Sequence, residues 1–243
     1  MKRGTIGTAG AHSVLILLFQ FLLPATAAEN VANNVNPIPD PAAEWDILWH
    51  EMMIDITIIG VLFGVVAIYW MYKYRTDDLD EVGNPPKLIS AKALGWALIP
   101  AFIFAADDFY LAAKGWTVWS IYRKVPKDAY EIKVKAYQWG WEFDYGDGVT
   151  SDVMRVPEEK PVVLRMTSDD VIHSFFLPKY RVKEDVMPGR VTHLWFLPHK
   201  GDKTIAVCTE YCGIGHSTMP ADVIAVPEKE LADWIASEKA EEE

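Results

Sequence analysis

Cys208 to Met219 reads C-T-E-Y-C-G-I-G-H-S-T-M and holds both cysteines of the chain, with His216 four residues beyond Cys212 and Met219 three beyond that. Four soft or borderline donors this close in sequence make a ligand loop for a soft metal ion. The residue types alone leave several chemistries open. Two cysteines in an exported chain are most often a disulfide. Structural zinc sites favour C-x-x-C pairs and do not recruit methionine sulfur, which suits copper. A mononuclear blue-copper site takes one thiolate, two histidines and a weak methionine, so here there is one thiolate too many. Two thiolates can bridge two copper ions, with one histidine for each metal, and the second histidine must then come from elsewhere in the chain.

The elements that must position this loop fall into two kinds. The chain of 243 residues is 51% hydrophobic, but apolar residues gather before residue 122, while charges and alternating patterns dominate after it. After Ala129, the segments Glu131–Ala136, Trp139–Tyr145, Val162–Met166, Val191–Phe196 and Thr204–Val207 are rich in β-branched and aromatic residues and are bounded by Gly, Pro and Asp. Several such strands predict an all-β sandwich or Greek-key barrel over residues 129–227. Beyond it, Leu231, Trp234 and Ile235 share one helical face, which predicts a C-terminal helix and acidic tail over 228–243.

The first part of the chain reads differently. Residues 1–27 have the pattern of a secretory signal: Lys2 and Arg3, an apolar run from Val14 to Leu23, and the small-residue site Ala25-Thr26-Ala27. Residues 28–44, with Pro37, Pro39 and Pro41, lack periodicity and are expected to be an extended arm. Residues 45–122 then predict a two-helix membrane hairpin with spans at about 48–74 and 93–119, bordered by aromatic belts and joined by a turn at Gly83-Asn84-Pro85-Pro86. The spans carry Glu51, Asp55, Asp107 and Asp108. Carboxylates at such depth normally face protein or water, so they predict a neighbouring membrane subunit. A net charge of −11 argues against a nucleic-acid partner and fits either a basic protein partner or a solubilising surface.

The loop, with V-I-H-S at 171–174 and R-V-K-E-D-V-M-P-G-R at 181–190, resembles subunit II of the haem-copper cytochrome c oxidases. The likeness runs over nearly all of the chain after residue 40. It implies two membrane helices followed by a cupredoxin-like Greek-key sandwich on the periplasmic side of a bacterial plasma membrane. It also implies a binuclear CuA centre of two copper ions. In that reading Cys208 and Cys212 bridge both coppers, His173 and Met219 complete one, and His216 with the backbone carbonyl of Glu210 completes the other. The Glu210 side chain would also reach a magnesium ion shared with subunit I. Electrons would come from cytochrome c through Trp139, the first tryptophan of the run Tyr137-Gln138-Trp139-Gly140-Trp141, and pass to a haem in subunit I, where oxygen is reduced to water and protons are pumped. Subunit III is a further expected partner.

Glu142, Asp144, Asp147 and Asp185 would form an acidic docking face for cytochrome c, whereas Trp141 is expected to pack in the core. Two departures from the family's pattern are visible: Gly140 stands where another aromatic is usual, and Ala93 stands where many members carry a glutamate ahead of W-x-x-x-P, here Trp96 to Pro100. The proton route therefore differs or lies in another subunit. His193 and His199 are expected to be structural or surface residues. Two rival functions share some of these features. One is a CuA subunit of a nitric oxide or nitrous oxide reductase; the other is a membrane-anchored copper-assembly protein whose cysteines pair or carry one copper in transit.

Overall fold

The computed structural model describes residues 38–78, 80–83 and 87–242. The expected signal segment and the Asn84-Pro85-Pro86 turn lie outside the described residues. Two helices come first: α1, Pro41–Lys73, and α2, Ser90–Arg123. Helix α1 begins earlier than the extended-arm reading allows. Pro41 occupies the first helical position, where its missing N–H costs nothing, and the Asp40 carboxylate accepts the Ala42 N–H at 2.9 Å. Residues 41–44 are thus the first turn of a helix.

Both helices are long and apolar enough to cross a membrane, with 18-residue stretches of mean hydropathy 2.3 and 1.4. At 33 and 34 residues each is about 50 Å long, well over the ~30 Å of bilayer hydrocarbon. Side chains such as Phe63 and Phe102 are largely exposed along them, which suits lipid or another membrane protein as surroundings. Between the helices, Glu51 is met by Lys114 Nζ at 3.3 Å and by the Tyr110 hydroxyl at 3.4 Å. One of the four span carboxylates therefore finds a counter-charge inside the hairpin itself.

The C-terminal end of α2 is tied to the β-rich part of the chain. The Tyr122 hydroxyl donates to the Lys183 carbonyl at 2.7 Å, Trp195 Nε1 donates to the Ile121 carbonyl at 3.2 Å, and Arg123 pairs with Glu184 at 2.8 Å. There, ten strands form two five-stranded sheets. The first contains β1 (Tyr130–Tyr137), β2 (Gly140–Asp144), β3 (Thr150–Ser151), β5 (Val162–Ser168) and β8 (Thr192–Phe196), in the order β3-β2-β1-β5-β8. The second contains β4 (Met154–Pro157), β6 (His173–Leu177), β7 (Val182–Val186), β9 (Lys203–Cys208) and β10 (Ala221–Val226), in the order β4-β10-β9-β6-β7. Pairing is antiparallel except at β1/β5 and β4/β10.

Alternation along the strands builds the core between the sheets. Ile132, Val134, Ala136, Phe143, Leu164 and Met166 face Val156, Phe175, Leu177, Val182 and Val223, all buried. Phe175 is the centre of an aromatic cluster, edge-on to Trp141 at 4.9 Å and to Phe143 at 6.2 Å. Helix α3, Glu228–Glu242, closes the domain by burying Leu231 and setting Trp234 edge-on to Tyr145 at 5.1 Å. The arrangement is a membrane hairpin followed by a Greek-key type sandwich, the predicted fold class.

Five strands were not read from the pattern of residues: β3, β4, β6, β7 and β10. Strand β7, V-K-E-D-V, shows why. Only its end valines are buried, and three charged residues lie between them. Its pairing with β6 supplies what its composition does not. Trp139, expected on a strand, lies instead in the turn between β1 and β2, joined to Gln138 by a cis peptide bond.

Candidate metal centre

His173 opens β6, and Cys208 closes the neighbouring strand β9, where Phe175 is its register partner. The Thr209 N–H donates to the Ser174 carbonyl at 3.0 Å, carrying the ladder one step into the loop. Residues separated by 35 positions thereby become neighbours: His173 Nδ1 lies 3.9 Å from Cys208 Sγ. The loop then turns back on itself. Cys212 Sγ lies 3.9 Å from Cys208 Sγ, 3.7 Å from His216 Nδ1 and 3.5 Å from Met219 Sδ. The Glu210 carbonyl oxygen is 3.2 Å from Cys208 Sγ. All six residues singled out in the sequence as metal donors gather at this one end of the sandwich.

The donor set suits a soft metal ion. Both cysteines are free thiols, and their 3.9 Å separation is far beyond the ~2.05 Å of a disulfide. Donors sharing one tetrahedral ion through bonds of ~2.0–2.3 Å stand about 3.3–3.8 Å apart, which is close to the sulfur–nitrogen and sulfur–sulfur spacings found here. His173, Cys208 and Cys212 offer ligand atoms within 4.8 Å of one another. Burial, followed by the neighbouring Cys208, pushes the Cys212 thiol up to about 11. Without a cation the sulfur stays protonated at neutral pH, so it is poorly suited to act as a nucleophile and well suited to bind a metal that displaces its proton.

Side chains that the sequence reading left out surround these donors. His173 is fully buried, and its Nε2 is 2.9 Å from Asp170 Oδ1. Partial burial raises the Asp170 carboxyl, but hydrogen bonds from His173 and from the Val171 and Gln138 N–H groups outweigh it and hold the acid below the usual carboxylate range. Gln138 Nε2 donates to the Cys212 carbonyl at 2.7 Å. A carboxylate three residues before a candidate ligand histidine was the available sequence signal for Asp170. Nothing local marked Gln138.

Trp139 lies against the loop, with Nε1 3.3 Å from the Cys212 carbonyl and a relative exposure of 40%. Two glycines make that contact possible. A Cβ on Gly215 would sit 2.5 Å from Trp139 Cδ2, and Gly213 has φ +125° with Trp139 Nε1 only 3.1 Å from where its Cβ would be. Trp141, two residues on, is buried, donates to the Met219 carbonyl at 2.8 Å and stands edge-on to His173 at 5.9 Å. Gly140 has a local cause as well. A Cβ there would meet the Tyr137 hydroxyl at 2.6 Å, so the Tyr137 ring fills the space beside it. Tyr211 lies over His216 at 5.9 Å, and the Glu210 side chain is exposed.

The four expected docking acids each have a partner within the domain. Glu142 and Asp144 pair across the sheet with Lys135 at 3.5 Å and Lys133 at 3.7 Å. Asp144 is five residues from Trp139, roughly 16 Å along the strand, and Asp147 is beyond the next turn, paired with Lys239 of α3 at 2.9 Å. Asp185 accepts from Ser174 Oγ at 2.8 Å, near the donor cluster. Glu142 and Asp144 share the outer side of β2, whereas Asp147 follows the strand and Asp185 is on β7. His193 lies on β8 opposite Arg165, and His199 meets Asp40 at 3.2 Å, so neither joins the donors.

A β-sandwich that follows two membrane-length helices and carries a thiol-rich centre at one end defines the class of protein. The family model for "Cytochrome C oxidase subunit II, periplasmic domain" matches residues 148–226. A probable cytochrome c oxidase subunit 2 of Rickettsia bellii is 30% identical over 227 residues, covering 83% of this chain and 82% of that protein. The alternative cytochrome c oxidase subunit 2 of Bradyrhizobium diazoefficiens is 26% identical, covering 82% of each. The crystal structure of the periplasmic domain of cytochrome oxidase subunit II from Bradyrhizobium japonicum is 32% identical and covers 49% of this chain and 99% of that one, with a TM-score of 0.45. The chain belongs to the cytochrome c oxidase subunit II family.

Proposed function

We propose that this chain accepts electrons from cytochrome c at a binuclear CuA centre and passes them to the haem of subunit I, where oxygen is reduced to water and protons are pumped. The observation that carries this reading is the single cluster of two thiols, two imidazoles, a thioether and a backbone carbonyl, with Trp139 lying on the carbonyl of Cys212. Cys208 and Cys212 would hold both coppers, together with His173 and Met219 for one and His216 and the Glu210 carbonyl for the other. Two copper ions held between two thiolates supply a one-electron carrier whose charge is spread over both metals.

The chain's own groups do the rest. The buried sulfurs and the sandwich exclude water and hold the donors in place, so that little needs to move when charge arrives. Trp139, half exposed, is the aromatic contact between a docked donor and the loop. The exposed Glu210 side chain serves a magnesium ion shared with subunit I. In the cell, the two helices sit in a bacterial inner membrane beside subunits I and III, with the sandwich on the periplasmic side.

The test is stopped-flow reduction of the copper-loaded full chain by reduced cytochrome c. Trp139→Ala slows the transfer by at least roughly tenfold at unchanged copper content, whereas Asp147→Asn leaves the apparent affinity within about twofold, because Asp147 is remote and paired with Lys239. A wild-type rate in Trp139→Ala would exclude this residue as the route for electrons.

A further inference from the structure

The turn that carries Trp139 belongs to one sheet and the strand that carries His173 to the other, and one carboxylate touches both. Asp170 lies in the short connection between β5 and β6. Its Oδ2 accepts the Gln138 backbone N–H at 2.6 Å. Its Oδ1 is 2.9 Å from His173 Nε2, and also takes the Val171 N–H at 2.6 Å and Ser168 Oγ at 3.3 Å.

Resting on the copper reading above, we infer that Asp170 is a positioning residue that sets the copper-side histidine and the tryptophan turn together. His173 is fully buried, so its Nε2 has no water to bond and needs a protein acceptor. A carboxylate at that nitrogen keeps the proton there and turns the Nδ1 lone pair toward Cys208, 3.9 Å away. The other oxygen holds the backbone of Gln138, whose side chain reaches the Cys212 carbonyl at 2.7 Å and whose neighbour Trp139 rests on Gly213 and Gly215. Removing the carboxylate releases the imidazole from one tautomer and frees the turn from the loop. The plainer role, closing the turn from Ser168 to Val171, would affect stability alone.

The experiment uses the full chain in detergent as wild type, Asp170→Asn and Asp170→Ala. Before copper is added, nitrogen NMR of labelled histidine reads the His173 tautomer, and hydrogen exchange reads the Gln138 amide. After copper is added, competition with a chelator reads affinity. In Asp170→Ala, Gln138 exchange rises roughly tenfold or more, His173 loses its single Nε2-protonated form, and copper affinity falls roughly 10–100-fold. Asp170→Asn, which keeps one acceptor oxygen, falls between. Wild-type exchange, tautomer and affinity in the alanine variant would overturn the inference even if the melting temperature dropped. Should the alanine chain not fold, the same three readouts in the asparagine variant decide in the same way. A wild-type chain that took up no copper would contradict the copper reading, while the tautomer and exchange readouts would still support or overturn the link through Asp170.

Discussion

Cys212 is held by its surroundings as the neutral thiol at neutral pH. Its thiol is raised to about 11 from an ordinary value of 9.0. A group that binds its proton more tightly in the folded than in the unfolded chain adds stability below the unfolded value and loses it as pH rises. The copper-free protein is therefore expected to lose stability between about pH 9 and 11, and Cys212→Ser should remove part of that slope in denaturant melts across this range. A slope identical in the serine variant would assign the effect to other groups. Gly215 is the second residue with a sharp consequence. Its added methyl would lie 2.5 Å from the Trp139 ring, so Gly215→Ala displaces either the indole or the loop. About 1–3 kcal/mol of stability is lost, together with much of the cytochrome c reduction rate. Loss of stability with an unchanged rate would mean that Trp139 need not lie on the loop.

At the scale of elements, the donors depend on two strand ends and one loop. The loop was legible in the sequence because all its donors lie within one short stretch. His173 was legible only through a family resemblance, since nothing in V-I-H-S marks a histidine that β6/β9 pairing will bring to Cys208. Strands β1, β2, β5, β8 and β9 were readable from β-branched and aromatic runs. Strand β7 was not, because its inner residues are charged and its stability comes from its neighbours. Glu142, Asp144 and Asp147 are close in sequence, and the lysine that pairs with each was not legible there, because an extended strand and a turn bring the three acids to Lys135, Lys133 and Lys239. Gln138 escaped notice because its partner, the Cys212 carbonyl, comes from a distant loop, whereas Asp170 could have been found from its place three residues before His173.

Across the whole molecule, the sandwich is fixed to the end of α2 by Trp195, Tyr122 and Arg123. That attachment gives the donor cluster a defined position relative to the helix end, which the proposed transfer of electrons to a haem in subunit I requires. Trp195→Phe removes the hydrogen bond to the Ile121 carbonyl, which keeps the Lys124 N–H at 3.1 Å as a second partner, so the loss is that of one ordinary hydrogen bond, about 0.5–1.5 kcal/mol. Its melting temperature should fall while copper content stays at the wild-type level, because Trp195 and the donor cluster make no contact. A loss of copper in this variant would mean that the helix end supports the metal centre directly.

The most direct measurement is metal content together with the electron paramagnetic resonance spectrum of the full chain, purified in detergent and loaded with copper. The donor cluster predicts two coppers per chain and hyperfine structure from one electron shared equally over two nuclei. One copper with a localised spectrum, or no copper with Cys208 and Cys212 joined as a disulfide, would contradict the account.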